Sequence, residues 1–432
     1  MQPMRKNARI LAASIVGTAV EYYDFYLYGY AAALVFGPLF FPVKSTSAQT
    51  LLAFMSFGIA FVARPIGAIV FGHFGDRVGR KATLVASLLL MGGCTLAIAF
   101  LPTYAVAGWI APMLLCLARF GQGFGLGGEW AGAALLSIEH APRGWDCRFG
   151  MMPSIGAAVG NIIATGVFLL MGLVLSQGEF LAWGWRIPFL ASAILIAVGL
   201  WVRLKIAETP EFRAALEKER PPRVPIVRLF AEQPWAVVAG AASVVCGFAL
   251  VYMAGPFALA QGTGTIGYPR DSFLLVQLAA LICALPLIMI FAFGSDRTTK
   301  TKYLSCAIMA VIPIGLALGP GLTSGSLWIA GITLFALDAC WAAINGSSTA
   351  WLCRLYPVRL RYSGFAFAFN TGGLIGGAAI PIVAQMLSSA GGLYYVGFIL
   401  SGTALLSLAA LAHSGLPSAA TPPQTPEPAP AA

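Results

Sequence analysis

The sequence predicts an all-α membrane protein of twelve transmembrane helices arranged as two six-helix bundles. Three observations carry that expectation. Of the 432 residues, 59% are hydrophobic and only 10% are charged, with a mean hydropathy of +0.83. A soluble domain has roughly 25% charged residues and about 45–50% apolar ones, so this chain cannot cover a surface with polar groups and needs lipid as its solvent. The apolar residues fall into runs near the ~20 residues that cross a bilayer, and the basic residues are confined to alternate loops.

Breaking the runs at charged, Pro-rich or Gly-rich stretches gives spans at 13–41, 50–71, 83–101, 108–136, 150–175, 185–204, 235–260, 273–293, 304–320, 327–352, 362–388 and 393–412. The first run begins near Ile10 and contains Glu21 and Asp24. It exceeds the ~7–15 apolar residues of a cleavable signal, so a retained first span is expected. The 49 glycines and 27 prolines largely lie inside these runs, where packed membrane helices tolerate them. The expected organisation is a first bundle over 1–204, a soluble linker over 205–234, a second bundle over 235–413 and a Pro/Ala tail over 414–432. In the linker, ETPEFRAALEKE predicts a short amphipathic helix that the following prolines stop. The tail composition predicts disorder.

Orientation follows from lysine and arginine. Of the 26, 21 fall on the side of the termini and central linker, three (Lys44, Arg186 and Arg270) fall opposite, and Arg64 and Arg119 lie within spans. By the positive-inside rule both termini face the cytoplasm of a bacterial-type inner membrane. The net charge of +10 is then topology, and no nucleic-acid partner is expected. The two halves echo each other. Gly75-Asp76-Arg77 recurs as Gly294-Ser295-Asp296-Arg297, and Ala141-Pro142-Arg143 is matched by Tyr356-Pro357 with Arg359. Parallel repeats of this kind place a solute site between the halves near the midplane.

The loop Gly72-His73-Phe74-Gly75-Asp76-Arg77-Val78-Gly79-Arg80-Lys81 is the most specific local signal. Its glycines permit a tight turn. Asp76 can sit at a helix start, where the dipole favours a carboxylate, and Arg77 and Arg80 can fork onto neighbouring acids. Gly72, Gly75, Asp76, Arg77, Gly79 and Arg80 therefore read as a conformational latch, with Asp296 and Arg297 as its counterpart in the second half.

Charges within spans are the other signal, since each costs roughly 2.5–3.5 kcal/mol at a helix centre. Glu21 and Asp24, three apart, share a face of the first span with Tyr28 one turn on. Arg119, Gln122 and Glu129 form a polar stripe on the fourth span, and Asp338 lies near the middle of the tenth. Glu21 or Asp24, with Glu129 and Asp338, are the candidate proton carriers. Arg119 could hold a substrate carboxylate or pair with one of the acids, and Tyr28, Gln122 and Asn370 would supply neutral hydrogen bonds. Arg64, Asn161 and Asn345 read as packing or helix-end groups.

Other patterns are set aside. The glycine run Gly121–Gly128 sits inside a span and reads as a close-packing face, not a nucleotide loop. No G-x-x-x-x-G-K-[ST], H-E-x-x-H or nucleophile elbow occurs, so neither ATP nor enzymatic catalysis is expected. The eight cysteines contain no C-x-x-C pair and read as small packing residues, and no cofactor or metal is expected.

Several segments together resemble the metabolite:proton symporter family of the major facilitator superfamily: GTAVEYYDFYLYG (17–29), FVARPIGAIVFGHFGDRVGRK (61–81), RFGQGFGLGGEWAGA (119–133), WGWRIPF (183–189) and LYPVRLRYSG (355–364). The resemblance covers nearly all of residues 10–412. It implies the twelve-helix facilitator fold, rocking alternating access, and uptake of a small organic acid or zwitterion with a proton. A monomer is expected. Efflux by antiport and solute sensing without transport stand as alternatives. Two departures from the family bear on the second latch. Asp296-Arg297-Thr298-Thr299-Lys300 lacks the glycine and paired arginines of the first loop, and Arg354 stands where the family tends to carry Glu. Both predict a weakened latch in the second half. The tail has no heptads, so osmotic gating through a coiled coil is not expected.

Overall fold

A computed structural model describes residues 4–5, 7–78, 80–127, 129–205, 225–298, 300–357 and 360–414. Among the described residues all regular structure is helical, and twelve long segments follow one another. In the first half, α1 is Ala8–Ala31, prolonged through Ala32–Phe36 and Gly37–Phe40, α2 is Thr46–Val78 and α3 is Arg80–Ala99. There follow α4 (Ile110–Glu139), α5 (Asp146–Val174) and α6 (Arg186–Lys205, after the bent lead-in Gln177–Gly184). In the second half, α7 is Pro234–Ile266, α8 is Arg270–Arg297 and α9 is Lys300–Leu316. The last three are α10 (Leu327–Arg354), α11 (Arg361–Gly391) and α12 (Tyr394–His413). Among the described residues nine helices are long and apolar enough to cross a membrane, and the bent pair at α6 makes a tenth. The shorter α9 and the polar α1 occupy the places of the remaining two expected spans.

α1 can carry Glu21, Asp24 and five tyrosines because every residue from Thr18 to Ala32 is buried in protein. α7 is buried in the same way from Ser243 to Gly262. These two helices line the axis. Lipid meets the outer helices through residues such as Leu170, Ile194 and Leu405, and exposed Trp109 and Trp328 mark one end while Trp201 and Trp235 mark the other. Such belts are where amphipathic rings sit at a membrane interface.

Within the halves α1 packs along α5, α2 along α4, and α8 along α10, with α11 and α12 against α7. Between the halves the main contacts are α5 with α8 and α2 with α11. These pairings exchange under a shift of six helices, as two parallel repeats require. The chain ends share one face. Trp235 Nε1 at the start of α7 donates to His413 O at the end of α12 (3.1 Å), and Ser137 near the end of α4 donates to Ser14 near the start of α1 (3.3 Å). This is called the terminal face below. The amphipathic helix expected over 208–219 and the tail beyond 414 lie outside the described residues, while the end of the linker forms the short helix Pro225–Glu232.

The glycine run of α4 is a packing face. A methyl group at Gly123 would overlap the backbone of Ala60, and one at Gly127 the backbone of Arg64, both on α2. Close backbone approach of this kind replaces the hydrophobic drive that lipid cannot supply. Gly123→Val is therefore expected to cost about 1–3 kcal/mol or more and to lower the apparent melting temperature of the purified protein. Gly166→Val, at a position with open space around it, should leave it unchanged.

Candidate functional site

Asp24 projects from α1 into a fully buried position between α3 and α4. Thr95 Oγ1 of α3 donates to Asp24 Oδ2 (2.9 Å), and Gln122 Nε2 of α4 donates to Thr95 Oγ1 (2.8 Å). Arg119 Nη1, one turn earlier on α4, donates to Gln122 Oε1 (3.0 Å). The polarity of this chain is dictated by chemistry. Arg119 can only donate, so Gln122 must present its oxygen to Arg119 and its amide hydrogens to Thr95. Every donor therefore points toward Asp24. The Thr95 hydroxyl has a second acceptor within reach, the Met91 carbonyl (3.0 Å). Asp24 Oδ1 has no hydrogen-bond partner among the described residues.

Arg119 makes no direct ion pair among the described residues. Nε donates to Phe57 O (3.3 Å), and the guanidinium lies over the rings of Phe25 (4.1 Å), Tyr28 (4.3 Å) and Phe57 (4.6 Å). Arg64 of α2, expected to be a packing group, lies over Phe25 too, at 4.2 Å. Phe25 thus carries two buried guanidinium groups, each held by ring quadrupoles in place of a carboxylate. Tyr28 hydrogen-bonds Ser56 (2.9 Å). Asn370 does not reach this group. Its Nδ2 donates to Gly127 O (3.1 Å) and Ala366 O (2.9 Å), which ties α11 to α4. Glu21 and Glu129 are both buried, Glu129 beside Trp130.

A narrow cleft lies between the halves. Its walls include Tyr22 and Tyr26 of α1, Trp130 of α4, Tyr252 of α7 and Trp341 of α10, and Asn345 adds an amide. None of Tyr28, Arg119, Gln122 and Asn370 lines it. Tyr252 stands between, packed on Phe57 (5.2 Å) and Phe61 (5.6 Å), the former ring lying under Arg119. Arg119 is therefore one aromatic layer away from the cleft.

At the terminal face the halves are clamped. Asp296 of α8 accepts from the backbone N–H of Cys147 (2.9 Å) and Arg148 (3.2 Å) at the start of α5, and Arg148 Nε lies 3.4 Å from its carboxylate. A helix start is where free N–H groups and the dipole favour an anion. Arg354 of α10 pairs with Asp146, and Trp130 of α4 stacks on Phe369 of α11 at 3.7 Å. The residues of the second latch, expected to be weakened, make contacts across the halves here. Asp296 reaches across to the other half, and Arg354 finds an acid there in place of the glutamate it replaces. Arg297 is exposed and makes no hydrogen bond or ion pair among the described residues, while Arg148 lies beside Asp296. Of the first latch, Gly79 lies outside the described residues, and the side chains at Gly72, Gly75, Asp76, Arg77 and Arg80 are not described either. At the opposite face Arg270 Nη2 of α8 donates to Gly172 O of α5 (3.4 Å), so the halves meet at both ends of the cleft.

The sequence pattern of the Major Facilitator Superfamily matches residues 14–381. The chain belongs to that superfamily. The superfamily consists of membrane transporters, not enzymes. The facilitator's relatives include the inner membrane metabolite transport protein YhjE of Escherichia coli (strain K12), 39% identical over 95% of this chain and 94% of that protein. The shikimate transporter of the same organism is 34% identical over 94% of each. Its backbone is similar to a partially occluded, inward-open conformation of the xylose transporter XylE from E. coli. There the TM-score is 0.75 at 14% identity, covering 95% of this chain and 97% of that one, a likeness of fold alone.

Sequence reasoning about this facilitator missed Thr95, the centre of the hydrogen-bond chain. Removing its hydroxyl leaves Gln122 and one Asp24 oxygen short of a partner, at about 1–3 kcal/mol each. Thr95→Val is expected to slow pH-driven solute uptake in proteoliposomes by about tenfold or more, with Thr95→Ser restoring it. Equal uptake by Thr95→Val and wild type would show that the hydroxyl only fills space.

Proposed function

We propose that this facilitator is a proton-coupled importer of a small carboxylated metabolite, an organic acid or zwitterion, working as a monomer by rocking of its halves about the central cleft. The observation that carries the reading is the directed chain Arg119–Gln122–Thr95–Asp24. It ends on a carboxylate with one oxygen unengaged and offers the Thr95 hydroxyl a second resting place. When Asp24 is ionised, Thr95 donates to it and the chain holds α1, α3 and α4 together. When a proton occupies Asp24, the Thr95 hydroxyl turns to Met91 O, and the tie to α1 is released. A buried charge is costly unless paired, so the protonated form crosses the occluded stage of the cycle more readily. Arg119, always cationic and one ring layer from the cleft, draws a substrate carboxylate inward when that layer parts. Both termini face the cytoplasm in this reading, in keeping with the distribution of the basic residues.

The test uses purified protein in liposomes carrying an entrapped pH indicator. A panel of organic acids and zwitterions is added outside under an outward-alkaline or outward-acid gradient. Internal acidification that requires both the protein and one particular solute supports the reading. Solute accumulation that persists after a protonophore collapses every proton gradient would overturn it.

A further inference from the structure

α7 breaks in the middle of the molecule. Regular helix runs from Pro234 to Tyr252, Gly255 takes φ −87° and ψ −105°, outside the helical region, and Pro256 follows. Proline has no N–H to give to the carbonyl four residues back, and the kink is bridged by the wider turn Met253–Phe257, in which the Ala258 N–H reaches Met253 O and Gly255 O. Val251, Ala254 and Gly255 line a small cavity there, with Gln277 of α8, Asp338 of α10, and Tyr30 and Asn161 of the first half on its other sides.

The groups around this cavity are oxygen-rich. Gln277 Nε2 donates to Ala254 O (2.8 Å) and Gly255 O (2.9 Å), which fixes the amide and leaves Oε1 buried without a donor. Tyr30 gives its hydroxyl hydrogen to Asn161 Oδ1 (2.8 Å), so its oxygen remains an acceptor. Asp338 is 5% exposed and makes no hydrogen bond or ion pair among the described residues. One carboxylate and one orphaned amide oxygen face this cavity, and none of the described residues that line it carries a positive charge. An ionised carboxylate left so is expensive, and a cation removes the cost.

We infer that this cavity binds one compact monovalent cation, with Asp338 and Gln277 Oε1 as its side-chain ligands. A single carboxylate matches a single positive charge, whereas calcium collects several. The space admits one water-sized occupant, which excludes a quaternary ammonium head but accepts a sodium ion or the primary-ammonium end of a substrate reaching in from the neighbouring cleft, whose wall shares Val251. The walls come from both halves, so rocking changes the site's completeness and couples its occupancy to the cycle. Asp24 and its proton play no part in this binding.

The experiment is a thermal-shift titration of the purified full-length protein at constant ionic strength, replacing choline chloride by sodium chloride or by methylammonium chloride. A ligand bound only by the native state raises apparent stability. A saturable rise with sodium identifies the free ion, one with methylammonium identifies an ammonium end, and either supports the inference. No rise with either salt overturns it, as does a rise of equal size in Asp338→Asn. Gln277→Leu should weaken the apparent affinity about tenfold, and unchanged affinity there would equally count against the site. The wild-type titration decides the matter even if Asp338→Asn fails to fold. Because the readout is binding, it stands apart from any failure of proton coupling.

Discussion

Asp24→Asn is expected to exchange substrate across proteoliposome membranes at close to the wild-type rate while losing all accumulation driven by a pH gradient. The neutral amide stands in for the protonated acid, so Thr95 can turn to Met91 O and the cycle still runs, but the side chain can no longer gain or lose a proton. One pH unit is worth 1.36 kcal/mol per proton, so a one-to-one symporter under that gradient concentrates its solute about tenfold. In the variant the ratio should fall to about one. Counterflow of labelled against unlabelled solute separates loss of coupling from loss of folding. Glu21→Gln, one turn earlier on α1, is the comparison. Accumulation kept by Asp24→Asn and lost by Glu21→Gln would move the coupling proton to Glu21.

The second large effect belongs to the clamp at the terminal face. Asp296→Asn keeps the shape of the side chain but removes the charge that faces the start of α5 and Arg148. Hydrogen bonds to an ionised group contribute about 1.5–3 kcal/mol, so the balance between clamped and parted states should move by roughly tenfold to a hundredfold. Cys147 reports on it directly. The residue is buried, and its backbone N–H and thiol lie against Asp296 and Ser295. Maleimide labelling of Cys147, read by peptide mass spectrometry so that exposed Cys283 and Cys306 do not interfere, should accelerate by about the same factor. Arg354→Glu, which sets two acids against each other at Asp146, should act in the same direction. Unchanged labelling in both variants would mean that the Trp130–Phe369 stack alone holds this face shut.

How much of this was legible beforehand differs from residue to residue. The membrane spans were legible because crossing a bilayer demands long apolar runs, and few alternatives share that pattern. Asp24, Arg119 and Gln122 stood out because polar groups within a span are costly, although the sequence left open whether Arg119 met an acid directly. Thr95 was not legible. A threonine in a membrane helix is unremarked chemistry until α3 brings it between residues 71 and 27 positions away. The aromatic wall of the cleft was hidden for the opposite reason, since tyrosines and tryptophans on buried helices look alike whether they face a cavity or a neighbour. Asp296 was recognised as a latch residue, but its partners lie some 150 residues earlier, beyond the reach of any local pattern.

Composition and apolar run length alone determined that this chain is a helical membrane protein, because the solvent a chain requires depends only on its total of apolar and charged groups, and recurring loop motifs marked its two halves. Tertiary structure alone decided which charges meet. It set Arg119 on aromatic rings in place of an acid, joined it to Asp24 through Thr95, turned Asp296 onto α5, and left Asp338 beside the broken α7. Those outcomes depend on hydrogen-bond distances of about 3 Å between helices far apart in sequence, and only packing brings such groups together.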